Sequence, residues 1–255
     1  KNLIKFPYDV FFYGKDFEGF KKVAENYIEE SIFEIPEARN YPEPETENNV
    51  YFIDYDMVQV EMCKVGRAGL VNVSNFGKIN VFNEYFGRGL SSVVFQELRE
   101  SKSLAYSAYV SYNNANEIGK HNYVVTYIGT QANKINLAID AMDGLMQEMP
   151  KIELQFENAK NSALKQIAST RITRTNIFFN YLNLNKLDIY HDIRKDVYHE
   201  IECLTIDDLA AFYHQEIKPV QYNVALIGKK ENLDMKVIEN LGEFKEVTLE
   251  EIFGY

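Results

Sequence analysis

Apolar and polar positions alternate along this chain with two different periods, one of strands and one of helices. Residues 6–13 (FPYDVFFY) are aromatic and β-branched and predict a strand; after Gly14, residues 16–33 predict an amphipathic helix with Asp16 at its N-cap. Residues 36–49 (PEARNYPEPETENN) hold three prolines and four glutamates, a composition that supports neither helix nor ladder and predicts an extended linker. Beyond it, 50–54 and 57–65 predict strands, with Val58, Val60 and Cys63 as inward candidates. Phe76, Ile79, Phe82, Tyr85 and Phe86 then recur at helical steps until Gly87 and Gly89 interrupt them.

Ser91 or Ser92 can cap a second helix through Glu100, and 104–112 alternates as a strand that can pair with 121–129 across an Asn-rich turn. Helices are predicted at 133–149, 152–174, near 176–190 and at 205–216, the last opened by a Thr205–Asp208 capping box. A strand at 220–227 and a helix at 231–241 follow. Strand pairs close in sequence, with several helices in a row, predict an α+β fold in which helices cover one face of a largely antiparallel sheet.

The last of these units resembles the first: IGKKENLDMKVIENL beside FYGKDFEGFKKVAENYI. Residues 1–35 are therefore expected to be the closing strand and helix of a preceding domain, 36–49 a linker, and 50–255 a complete domain. The chain opens on Lys1, as expected of a processed product or an excised segment.

Composition narrows the partners. With 46% apolar residues among 255 there is material for an ordinary core, and 27 basic against 38 acidic side chains leave a net charge of −11. That charge repels phosphate backbones and anionic head groups, which argues against nucleic acid and membrane surfaces. No apolar run approaches the roughly 18–20 residues of a membrane span. Cys63 and Cys203 stand far apart and outside any CxxC, so they predict two small buried side chains and neither a zinc knuckle nor a disulfide framework.

The stretch NEYFGRGLSSVVFQELRESKSLAYSAYVSY, residues 83–112, joins a glycine-interrupted helix, F-x-E-L-R-E, a short link and L-A-Y-S. In this it resembles the C-terminal, zinc-free portion of the pitrilysin/insulinase-type (inverzincin) zinc metallopeptidases, whose fold is similar to that of the mitochondrial processing peptidase. The resemblance runs over about residues 50–248. It implies a half-molecule that closes, with a zinc-bearing half of the same chain or a partner subunit, around a peptide or unfolded polypeptide. Such a half carries no cofactor of its own.

In the zinc-bearing half the family places H-x-x-E-H, two histidines on one helix face with a glutamate that activates water. The only histidines here are His121, His191, His199 and His214, and no two have that spacing. His199 and Glu200 are adjacent but lack a second histidine nearby. This segment alone is therefore expected to be inactive.

From its zinc-free half the family contributes an arginine and a tyrosine, which fall on Arg99 and Tyr106. A guanidinium and a phenol hydroxyl can hold a peptide carbonyl and stabilise its developing oxyanion. The competing reading has Arg99 interacting with the carbonyl end of its own helix and Tyr106 filling the sheet core beside Leu104 and Ala108. Gly87, Arg88 and Gly89 occupy the place of a glycine-rich loop that contacts substrate in the processing peptidase's non-catalytic subunit; alternatively, the glycines only permit a turn. Many relatives carry glycine where this chain has Ser103. A degenerate scaffold, an assembly subunit or a peptide-binding subunit of the same fold is the other expectation.

Overall fold

The structure, a computed structural model, describes residues 5–27, 31–35 and 41–254. They fall into two units, residues 1–43 with 171–182 and residues 44–170 with 183–255. In chain order the elements are helix α1 (Phe17–Ala24), strands β1 (Asn49–Asp54) and β2 (Gln59–Leu70), and helix α2 (Phe76–Phe82), continued by a π-helical turn at Asn83–Gly87. Helix α3 (Val93–Phe95) likewise runs on as a π-helical turn at Gln96–Ser101. Then come β3 (Ser107–Asn113), β4 (His121–Gln131), α4 (Ile135–Gln147), α5 (Glu153–Ser169), α6 (Arg174–Asn185), α7 (Arg194–Cys203), α8 (Ile206–Glu216), β5 (Tyr222–Gly228), α9 (Met235–Glu239), β6 (Glu243–Glu246) and α10 (Leu249–Phe253).

The second unit is built on one six-stranded sheet in the order β3-β4-β2-β5-β1-β6. It is antiparallel from β3 through β5 and parallel where β1 joins β5 and β6. The period of two in the sequence sorts its faces. Val60 and Met62 of β2, Val124 and Ile128 of β4, Val110 of β3 and Leu226 of β5 are buried in one core with Phe82, Tyr85, Phe86, Leu98, Phe156 and Tyr213 of the helical segments. On the alternate positions Tyr109 and Tyr127, directly opposite each other on β3 and β4, stack with ring centroids 5.2 Å apart. An α+β fold with helices on one face of the sheet is what the periodicity predicts.

Helix α2 does more than pack on the face of the sheet. The Asn83 amide donates to Tyr112 O at 3.0 Å and accepts from Tyr112 N–H at 2.8 Å, so one side chain satisfies both backbone groups of an outer-strand residue. At Gly87 the π-helical turn lies against the same strand, so close that a Cβ there would sit 1.9 Å from Val110 O. Half-buried Glu200 of α7 accepts from Gly77 N–H at 2.8 Å and Lys78 N–H at 3.3 Å, tying the start of α2 to α7. Burial pushes the Glu200 carboxyl above its usual range.

Several expectations need correction. Residues 6–13 lie in no strand: a strand needs a neighbour for its backbone groups, and the described residues of the first unit supply none. The helix expected at 16–33 ends at Ala24, where the Asn26 amide takes the Lys22 carbonyl at 2.8 Å; residues 28–30 lie outside the described residues, as do 36–40 of the linker. The helix expected at 152–174 stops at Ser169, where Thr170 Oγ1 donates to Gln166 O at 2.6 Å, and restarts at Arg174. Val58 precedes β2 and is exposed, while Cys63 is half-buried on the face away from the helices and Cys203 is exposed at the end of α7. Burial pushes the Cys63 thiol up. No described helix is long and apolar enough to cross a membrane.

Asn83→Ala, which strips both partners from Tyr112, is expected to cost on the order of 1–3 kcal/mol. Gly87→Ala, which forces a methyl into Val110 O, is expected to cost about as much through overpacking. Urea denaturation checks both, and midpoints at the parent value would remove the edge contact from the account of stability.

Candidate functional site

Arg99 and Tyr106 are set by the two ends of one short reversal. Ser92 Oγ accepts from Phe95 N–H at 3.3 Å and starts the helix, Leu98 is fully buried and anchors it, and Arg99 sits on the outer side of its π-helical end. The guanidinium carbon lies 4.8 Å from the Phe95 ring centroid, with Glu100 Oε1 3.8 Å from Nε. Its side chain is 47% exposed.

The helix is closed by Ser103, whose φ of 49° is left-handed. Ser103 N–H donates to Arg99 O at 3.2 Å and Leu104 N–H to Leu98 O at 2.7 Å. Lys134 Nζ donates to Ser103 O at 2.9 Å, and Thr130 Oγ1 to Leu104 O at 2.5 Å. Ser103 thus holds a backbone conformation that glycine adopts most readily.

From there the chain enters β3 through a Tyr106 N–H bond to Gly129 O at 2.9 Å. Tyr106 does not fill the core: it is 50% exposed, whereas Ala105 and Ala108 beside it are buried. Its hydroxyl accepts from Gln131 Nε2 at 2.5 Å, which leaves its own proton to be donated.

The structure brings both residues to one concavity of about 280 Å³, lined also by Ser103, Thr130, Gln131 and Lys134. Two cationic side chains and no carboxylate line it, in a chain of net charge −11. Gln131 and Lys134 carry no signal readable by spacing, because they reach the cleft across the β3–β4 hairpin.

Gly87, Arg88 and Gly89 lie elsewhere. Gly87 is buried against β3, Arg88 Nη2 donates to Ser111 Oγ and, at 2.8 Å, to Asn113 Oδ1, and Gly89 is left-handed with φ 84° and open space around it. Arg88 lines a separate cleft of about 610 Å³ with Asn83, Glu84, Tyr112, Gln166 and Arg194. Tyr112 there is buried, its phenol pushed up to about 12 chiefly by desolvation.

His199 and Glu200 diverge. Glu200 turns in to cap α2, while His199 Nδ1 faces Glu202 at 3.3 Å, and His191 Nε2 faces Asp196 at 2.6 Å. Among the described residues no group of three or more His, Cys, Asp or Glu side chains is placed to hold a metal ion. His199 and Glu200 therefore do not point at a common centre.

The profile of the family described as "Peptidase M16 inactive domain" matches residues 9–162. The chain belongs to this family. A relative from Bacillus subtilis (strain 168), named as the uncharacterized zinc protease YmxG, is 26% identical to this M16 inactive domain over 185 residues, 69% of this chain and 42% of its own length. A crystal structure of a peptidase M16 inactive domain from Pseudomonas fluorescens superposes with a TM-score of 0.62 at 12% identity, over 83% of this chain and 50% of that one. Pitrilysin superposes with a TM-score of 0.55 at 12% identity, over 91% of this chain and 25% of its own. At those identities the structures establish the fold, and the resemblance read from residues 83–112 holds. The chain spans less than half the length of its Bacillus relative.

A left-handed serine costs roughly 1–2 kcal/mol against glycine. Ser103→Gly is therefore expected to raise stability by up to about 1 kcal/mol, and Ser103→Val to lower it by more. Thermal unfolding of the two variants checks the pair; a stabilising valine would contradict the assigned backbone.

Proposed function

We propose that this M16 inactive domain is the substrate-holding half of a zinc metalloendopeptidase, acting on peptides or unfolded polypeptide. The observation that carries the reading is the meeting of Arg99 and Tyr106 in one cation-lined concavity, both half-exposed, at the entry to an outer strand. In this reading a peptide carbonyl enters the cleft and its oxygen receives the Tyr106 O–H and the Arg99 fork. Negative charge growing on that oxygen strengthens both bonds, so the pair binds the transition state more tightly than the ground state. Gln131 holds the phenol by its oxygen and orients its proton outward; Lys134 holds the Ser103 turn and adds positive potential.

Metal-activated water belongs, in the proposal, to a zinc-bearing half in the same chain or in a partner subunit, and no step of that chemistry is assigned to residues of this chain. The Gly87–Gly89 loop would take part only through Gly89, because Gly87 and Arg88 are committed to β3.

The test is cleavage of a quenched fluorescent peptide by the full protein, zinc-bearing half included. Tyr106→Phe and Arg99→Ala are expected to lower kcat/KM by on the order of 10²–10³-fold, the cost of losing one oxyanion donor. Circular dichroism should be unchanged, since both side chains are half-exposed. Cleavage indifferent to both substitutions, or absent from the parent, would overturn the peptidase role and favour a scaffold, assembly or peptide-binding subunit.

A further inference from the structure

The π-helical turn that continues α2 leaves two side chains of opposite charge unpaired. Glu84 and Arg88 stand four residues apart, the spacing at which a glutamate and an arginine ordinarily pair on a helix. Here the wider turn changes the phase, and Arg88 leaves it with an extended backbone, φ −122° and ψ 150°, so the two side chains part. Arg88 is pinned to β3 through Nη2 alone, by Ser111 Oγ and Asn113 Oδ1, both uncharged. Its Nε and Nη1, and both oxygens of half-buried Glu84, make no hydrogen bond or ion pair among the described residues. By contrast Arg67 and Arg194 each hold a carboxylate at 2.5 Å.

Both side chains line the cleft of about 610 Å³, whose lining residues all belong to the second unit. Its frame is bonded in place. Arg194, at the start of α7, holds Asp192 and donates from Nη1 to Thr170 O at 2.8 Å, just past the end of α5, while Glu200 ties α7 to the start of α2. The apolar lining is Phe76 and Ile79 of α2, Ile167 of α5, and Ile193 and Val197 at the start of α7. Asn80, Asn114 and Gln166 line it as well, and their side-chain amides make no hydrogen bond among the described residues. One free anion, one free cation, three unspent amides and an apolar surface thus meet in a space of the size that takes small ligands.

We propose that this cleft binds a short peptide with free termini and apolar side chains. Its ammonium meets Glu84, its carboxylate meets the spare N–H groups of Arg88, and its side chains lie on the apolar lining. Asn80, Asn114 and Gln166 each offer a donor and an acceptor to the peptide groups between the termini, which a single amino acid does not possess. A simple anion would meet Arg88 with Glu84 beside it, and a simple cation would meet Glu84 with Arg88 beside it; only a zwitterion satisfies both. Such a ligand is neutral overall, so the molecule's net charge of −11 does not oppose its approach. A frame already bonded in place lowers the ordering cost of binding. The inference draws on these unspent groups and on no role for Arg99 or Tyr106.

Calorimetric titration of trileucine into the full-length polypeptide that contains this chain, stripped of metal so that no peptide is cleaved, tests it. Saturable binding is expected. Acetylating the N-terminus of the peptide, amidating its C-terminus, Glu84→Gln and Arg88→Gln are each expected to weaken it at least about tenfold, the loss of a hydrogen bond to a charged group. Triserine and free leucine are expected to bind at least about tenfold more weakly, for want of apolar surface and of peptide groups. Should Arg88→Gln unfold without its hold on β3, the amidated peptide probes the same contact. No saturable binding of trileucine to the parent overturns the proposal. So does binding that survives both caps, that neither substitution weakens, or that triserine or leucine matches. Binding lost in Tyr106→Phe but kept in Glu84→Gln would assign the peptide to the other cleft and overturn it as well.

Discussion

The outer strand β3 is where the helical layer is fixed to the sheet. A sheet edge presents unpaired backbone groups, and here the C-terminal half of that edge is closed by the chain itself: the Asn83 amide takes both groups of Tyr112, and Gly87 lets a helix backbone rest on Val110 O. Both contacts come from one π-helical turn, whose extra residue per turn shifts Asn83 and Gly87 to the strand side. They add directed hydrogen bonds and a close backbone contact to the apolar packing between the helical layer and the sheet.

Closing one half of the edge defines the other. Residues 106–108 enter the strand beyond the reach of that turn, beside the second π-helical turn that carries Arg99. The two side chains are joined by a reversal whose backbone groups are committed: Ser103 and Leu104 amides to Arg99 and Leu98, their carbonyls to Lys134 and Thr130. For the proposed role, a backbone held by these hydrogen bonds with half-exposed side chains suits binding to a developing charge, because reorganisation at the moment of reaction weakens such a site.

The periodic segments made the sheet and its helical layer readable from residues alone, and the joined pattern at 83–112 made the family readable. Strands β1 to β5 fall where alternation of apolar residues puts them. What escaped had weak or misleading local signals. β6 is four residues long with two glutamates and a lysine, so it carries no alternation, and it exists because β1 offers it a parallel edge. Helix α7 has no long apolar stripe and is placed by Ile201 in the core and by Glu200 reaching α2. Residues 6–13 failed in the opposite sense, with a strong strand pattern and no neighbour. Gln131 and Lys134 were out of reach of any spacing argument, since only the hairpin register brings them to Arg99 and Tyr106.

The charge of the molecule bears on what the cleft can select. At about 0.1 M salt, fields are screened over roughly 10 Å, so a net charge of −11 acts on an approaching ligand from outside while Arg99 and Lys134 act only once it is in contact. An acidic small molecule would be repelled during approach and attracted only at the end. In the proposed role a neutral peptide carbonyl would feel little of the outer repulsion and still receive the directed donors inside, its own charge appearing only as the reaction proceeds. In that role the arrangement would discriminate by where negative charge develops and not by how much the ligand brings with it.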